Sequence, residues 1–278
     1  MVEIGNKRII PELVPDQHYT PHEHREVHKH TLETLFMHHN NRIDHELENL
    51  MKKLQKNRDG YHENAADLNE MKKNNPEKFM ALADQYGMSP QELIWQVADY
   101  EYDTFLAEEQ LTAFAEVQVI YAYKQFEINL KRLLEIGFGI VDGRHLTQWE
   151  NLKTFLKSHN IELTTISGYT EIDQLRRVNN TVKHSDAARE KDIKDIPELV
   201  GKTYLDSSGL NLFYERVKMF PMTFLGSLGV AIRDELYLFT DVRLKSISEN
   251  IINHMDPSSA EKLMVMLKDG YSLEPPEK

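Results

Sequence analysis

The sequence predicts an all-α protein, and three observations carry that reading. Apolar residues recur at three- to four-residue spacings through most of the 278 positions. Glycine and proline are scarce, at 12 and 10 residues, where a β protein would need many turn residues. Helix-start signatures of the form Ser/Thr-Pro-x-Glu or Thr-x-x-Glu also recur, at Thr20, Ser89 and Thr147.

Taken in order, residues 1–19 carry Pro11 and Pro15 and form an extended arm. Thr20-Pro21-His22-Glu23 opens an N-terminal helical region, 20–108. Its first helix runs to about residue 56 on Leu32, Leu35, Phe36, Ile43, Leu47, Leu50 and Leu54, and Gly60 ends it. Shorter helices are expected over 62–73 and 76–86. Ser89-Pro90-Gln91-Glu92 starts a periodic stretch to Ile136, long enough to predict a kink or short break near 107–110. Gly137 and Gly139 close it. Thr147 caps a short helix to about His159, and Thr170 caps the next. Residues 186–207 are charged and without period. A helix over 209–239 is kinked by Pro221, and 241–278 is a helical extension with a Pro275-Pro276 tail.

Charge narrows the function classes. The formal net charge is −12, with pI near 5.6, so broad electrostatic coating of nucleic acid is excluded and any RNA site must be local. With no cysteine there is neither a disulfide framework nor a thiolate metal site. No apolar run reaches the roughly 18–20 residues of a membrane span, and Met1–Lys7 lacks a leader's apolar stretch, so a cytoplasmic protein is expected. Histidines crowd the first 62 residues, and His24–His28 is an i, i+4 pair. No third ligand is placed and no HExxH occurs, so a solvated histidine-rich helix is expected rather than a metal site. No cofactor fingerprint is present.

The chemistry-bearing segment is Glu171–Ser185. Ile172, Leu175, Val178 and Val182 make its buried stripe, and Arg177, Asn180 and His184 make a second at i, i+3 and i+7. Seven residues turn a helix by about 700°, so Arg177 and His184 point within about 20° of each other, about 10 Å apart along the axis. These residue types suit metal-independent RNA cleavage. A histidine transfers the proton, an arginine stabilises charge on the phosphoryl oxygens, and an amide orients ribose or phosphate. Two plainer readings stand beside this one. Lys183-His184 at a helix end would satisfy the helix dipole, and Arg177 with Glu127 would make an interhelical ion pair.

Leu175-Arg176-Arg177-Val178-Asn179-Asn180-Thr181-Val182-Lys183-His184 resembles the motif of the HEPN superfamily, an Arg separated by four to six residues from a His near a helix end. Tyr121–Lys131 resembles the first helix of such domains, with Glu127 matching the acidic residue that faces the motif arginine. The same bare spacing recurs from Arg25 to His30, but without Asn180, Lys183 and Glu127 for company. The resemblance covers roughly 110–240, so a HEPN-like helical bundle is expected over 109–240, beyond the N-terminal region. It implies homodimers with a composite cleft, and an endoribonuclease of toxin–antitoxin or antiviral defence type that cuts RNA and spares DNA. His184 would be the general acid/base, Arg177 the charge stabiliser, Asn180 the orienting amide and Glu127 the residue positioning Arg177, with Arg176 and Lys183 as phosphate contacts. An antitoxin or other defence protein would be a partner. The alternative is a catalytically silent helical module that binds a partner protein or a nucleotide.

Overall fold

The computed structural model describes residues 21–35, 42–140, 146, 148–184, 193–202 and 204–271. Helices account for nearly all of them, and no strand occurs among the described residues. In chain order these are α1 (Pro21–Thr34), α2 (Arg42–Asn74), α3 (Pro76–Gln85), α4 (Pro90–Phe138), α5 (Trp149–Ser158), α6 (Tyr169–His184), α7 (Ser207–Val217), α8 (Phe220–Tyr237), α9 (Asp241–His254) and α10 (Pro257–Tyr271). No described helix is long and apolar enough to cross a membrane.

Local chemistry explains the boundaries of α4. The Ser89 hydroxyl accepts from the Glu92 N–H at 3.2 Å while Glu92 Oε2 accepts from the Ser89 N–H at 2.6 Å, a closed capping box. At the other end Gly139 takes φ 68° and returns its N–H to the Glu135 carbonyl. The 49 residues between run without a break. No break occurs at 107–110, where Ala107 and Leu111 are buried and packing supports the helix on both sides.

Tertiary packing also overrides the expected stop at Gly60. One helix, α2, runs 33 residues straight through it. A lone glycine costs a helix only about 1 kcal/mol. Against that, α2 lies along α4 for much of its length, burying Met51 and Ala65 and setting Tyr61 against Tyr100 at 6.5 Å. The expected boundary near 108 falls inside α4. The chain divides into two compact units, Met1–Arg233 and Asp234–Lys278.

In the first unit α4 is the central helix, touching α1, α2, α3, α6 and α7. Its core holds Phe126, Leu133, Leu152, Ile172, Leu175, Phe213 and Phe224, all essentially without solvent exposure. Phe126 meets Phe224 edge to face at 5.6 Å, and Trp149 stacks on Tyr169 at 5.9 Å. Leu32 seats α1 in this core, and Gly229 of α8 lies against its carbonyl, an approach only glycine permits. The expected helix over 209–239 is two: the chain breaks at 218–219, and Pro221 stands in the first turn of α8, where its missing N–H costs nothing.

The second unit comprises the end of α8 with α9 and α10, so the helical extension from residue 241 is two helices separated at Met255–Asp256. Asp256 caps α10 by accepting from the Ser259 N–H at 3.1 Å. Neither α9 nor α10 buries a residue.

Candidate functional site on helix α6

Gly168, with φ 83°, turns the chain into α6, and its carbonyl accepts from the Ile172 N–H at 3.0 Å. The helix therefore starts at Tyr169, one residue before the expected cap at Thr170. A Cβ on Gly168 would meet Phe220 Cδ1 at 3.3 Å, so the turn is both left-handed and crowded. Thr147, the other expected cap, lies outside the described residues, and Gln148 precedes α5 without a side-chain cap.

Ile172, Leu175 and Val178 fill the inner face of α6, joined by Gln174 and Asn179. The outer face carries Asp173, Arg177, Asn180 and His184 within a sector of about 60°. Arg177 is 19% exposed along its side chain and is held from two sides. Asp173 Oδ2 lies 3.1 Å from its Nε, one helical turn back. Asp195, from the turns at 193–202, accepts from Nη1 at 2.6 Å and from Nη2 at 3.0 Å. That fork-on-fork pairing holds the Asp195 carboxyl below its ordinary range, chiefly through the hydrogen bond from Arg177. Ile193, Ile196 and Leu199 are buried and anchor the turns that present Asp195.

Arg176 points elsewhere. Its Nε and Nη2 donate to Asp173 Oδ1 at 3.2 and 2.8 Å, and its guanidinium lies 5.7 Å from the Trp149 ring centre. Asp173 thus bridges both arginines. Asn180 is half-buried and accepts from Asn179 Nδ2 at 3.3 Å, while Asn179 sits in the core with its Oδ1 buried and given no hydrogen bond among the described residues. Lys183 and His184 end the helix in solvent.

Glu127 is half-buried on α4 and makes no ion pair among the described residues. The acidic partners of the two arginines are Asp173 and Asp195, so the ion pair expected from Glu127 is made by other carboxylates. Glu127 instead lines a narrow crevice with Tyr123, Lys131 and Trp149, holding about 10 Å³ of free space, room for one water. Burial, reinforced by the Glu127 charge, pushes the Tyr123 hydroxyl's pKa upward.

Sequence reasoning therefore gathers Arg177, Asn180 and His184 on one face, and the structure has them so. It passed over Asp173 and Asp195. The i, i+4 step from Asp173 to Arg177 was a visible signal. For Asp195, 18 residues on in a stretch without period, no local signal exists.

On α1, His28 donates its Nε2–H to the Ile136 carbonyl at 2.7 Å, tying α1 to α4. No group of three or more metal-ligating side chains occurs among the described residues. His18, His38 and His39 lie outside them.

The chain matches no protein-family model, no curated protein and no solved structure.

Proposed function

We propose that this protein is a metal-independent endoribonuclease of HEPN type, working on α6. The observation that carries the reading is the exposed His184 on the same helical face as Asn180 and the doubly held Arg177. In the reaction the ribose 2′-oxygen forms a bond to phosphorus as the P–O5′ bond breaks. His184 takes the 2′-proton, and the 5′-oxygen leaves with a proton from imidazolium or water. Arg177 receives the charge that builds on the non-bridging oxygens. Both Nη groups pair with the Asp195 carboxylate, which stands where a two-pronged phosphate contact would form. Asn180 orients the ribose, and the exposed Lys183 at the end of the helix contacts a flanking phosphate.

Two copies joined along α6 would bring two such faces into one cleft, in the cytoplasm and under the control of an antitoxin or defence partner. Sedimentation at micromolar concentration tests the dimer. Cleavage of total RNA in EDTA by the wild type, and its loss in His184→Ala, tests the chemistry.

One observation favours the second reading, a silent module binding a partner protein or nucleotide. Both Nη groups of Arg177 are already taken by Asp195. An Asp195→Ala variant that still cuts no RNA would decide for that reading.

A further inference from the structure

The middle of α4 presents an apolar seam with acidic edges. Trp95, Tyr102, Leu106 and Val117 are 61%, 59%, 37% and 48% exposed, and Phe105 beside them is 58% exposed. At 100° per residue the first four fall within about 60° of one another, on the side opposite the buried Leu93, Val97, Leu111 and Ala115. From Trp95 to Val117 the seam is about 33 Å long. Scattered exposed apolar residues are ordinary, but large apolar side chains aligned on one helix face mark a contact surface.

The charge around the seam says what the contact is. Residues 79–123 contain eight acidic residues, Asp84, Glu92, Asp99, Glu101, Asp103, Glu108, Glu109 and Glu116, and no lysine, arginine or histidine. Glu108 pairs with Arg58 at 2.8 Å and Glu101 accepts from Asn69 at 3.1 Å, both toward α2. The others on α4 fall beside the seam, Glu92, Asp99 and Asp103 along one edge and Glu109 and Glu116 along the other. None of these five makes an ion pair among the described residues. Glu116 is pushed up by partial burial and by Glu109 about two helical turns away.

We propose that this face of α4 is a docking site for a basic amphipathic helix of a partner protein, with leucine-like residues on the seam and lysines or arginines along both edges. A second copy of the chain does not fit, because in either direction it would set acidic edge against acidic edge. RNA and an anionic membrane surface fail on the same sign. The proposal stands independently of the chemistry on α6.

The probe is a designed helical peptide of about 25 residues, free of tryptophan, with leucines at seam spacing and lysines flanking them. Trp149 is buried, so Trp95 reports the contact by fluorescence, with calorimetry giving the affinity. The expected result is a micromolar Kd and a blue shift of Trp95 emission. A scrambled peptide of the same composition is expected to bind at least tenfold more weakly, as is the designed peptide to Tyr102→Ala/Leu106→Ala. The isosteric Glu109→Gln/Glu116→Gln variant, which keeps every packing contact, is expected to lose at least threefold and to show a shallower salt dependence. Absence of binding, equal affinity for the scrambled peptide, or indifference to both variants would overturn the proposal. So would a wild-type dimer that Trp95→Ala dissociates, which would make the occupant a second copy.

Discussion

Asp195 accepts from both Nη groups of Arg177, at 2.6 and 3.0 Å, in the geometry a bound phosphate would adopt. The pairing joins the outer face of α6 to a turn segment 18 residues further on. Asp173 Oδ2, 3.1 Å from Nε, keeps a second carboxylate beside Arg177 when Asp195 leaves. Asp195 is 57% exposed and is thereby placed to be displaced by an anion of higher charge.

Asp195→Ala is therefore expected to tighten binding of a short RNA oligonucleotide and to speed its cleavage by about tenfold, the scale of one charge-assisted hydrogen bond. Fluorescence anisotropy and single-turnover rates measure both. A fall in both would make Asp195 a residue that positions Arg177 instead of one that occupies its fork.

Acid stability follows from the depressed carboxyls. Asp195 beside Arg177 and Glu198 beside Arg216 have native pKa values below their ordinary 3.8 and 4.5. Depressed carboxyls contribute stability that is fully present above the unfolded values and is lost as pH falls through the native ones. Urea stability is thus expected to be flat from pH 7 to about 5.5 and to fall below about 4.5. Glu198, only 14% exposed, contributes more than the exposed Asp195, so Glu198→Gln should flatten the curve more than Asp195→Asn does. Glu116, pushed upward, acts in the opposite sense and softens the fall. Identical curves for wild type and Glu198→Gln would contradict the assignment.

A pair of glycines in α8 tests how α1 is held. A Cβ at Gly229 would overlap the Leu32 carbonyl, whereas Gly226 has nothing within 4 Å. Gly229→Ala is expected to destabilise by about 1–3 kcal/mol through forced backbone movement. Gly226→Ala is expected to stabilise by about 0.4–1 kcal/mol by restricting the unfolded chain. Urea midpoints that move in the same direction for both would contradict the packing of α1 against α8.

Features decided within a few residues were legible in the sequence. The Ser89 capping box, the Gly139 stop and the shared face of Arg177, Asn180 and His184 all follow from spacing alone. Features decided across the fold were not. Gly60 reads as a terminator until α4 is seen packed along α2, and 107–110 reads as a break until Ala107 and Leu111 are seen buried. The same limit hid Asp195. Its neighbours Ile193, Ile196 and Leu199 are spaced for a turn, and their burial is visible only once α6 and α7 are in place. Glu127 shows the reverse error. A carboxylate at the expected position on α4 faces Tyr123 and Trp149, while Asp173 and Asp195 take the arginines.

The central claim, RNA cleavage by the α6 face, is tested most directly by the ends of the products. Purified wild type, Asp195→Ala, His184→Ala and Arg177→Lys are each incubated with total RNA in EDTA, and the 3′ ends are identified. Fragments ending in 2′,3′-cyclic phosphate are predicted for the wild type and more abundantly for Asp195→Ala. His184→Ala is predicted to lose about 10²–10⁴-fold in rate while keeping its helical circular dichroism. Arg177→Lys should also be poor, since a point charge does not replace a planar two-pronged donor. Cleavage that needs added Mg²⁺ or Mn²⁺, a rate unchanged in His184→Ala, or intact RNA with both wild type and Asp195→Ala would contradict the account.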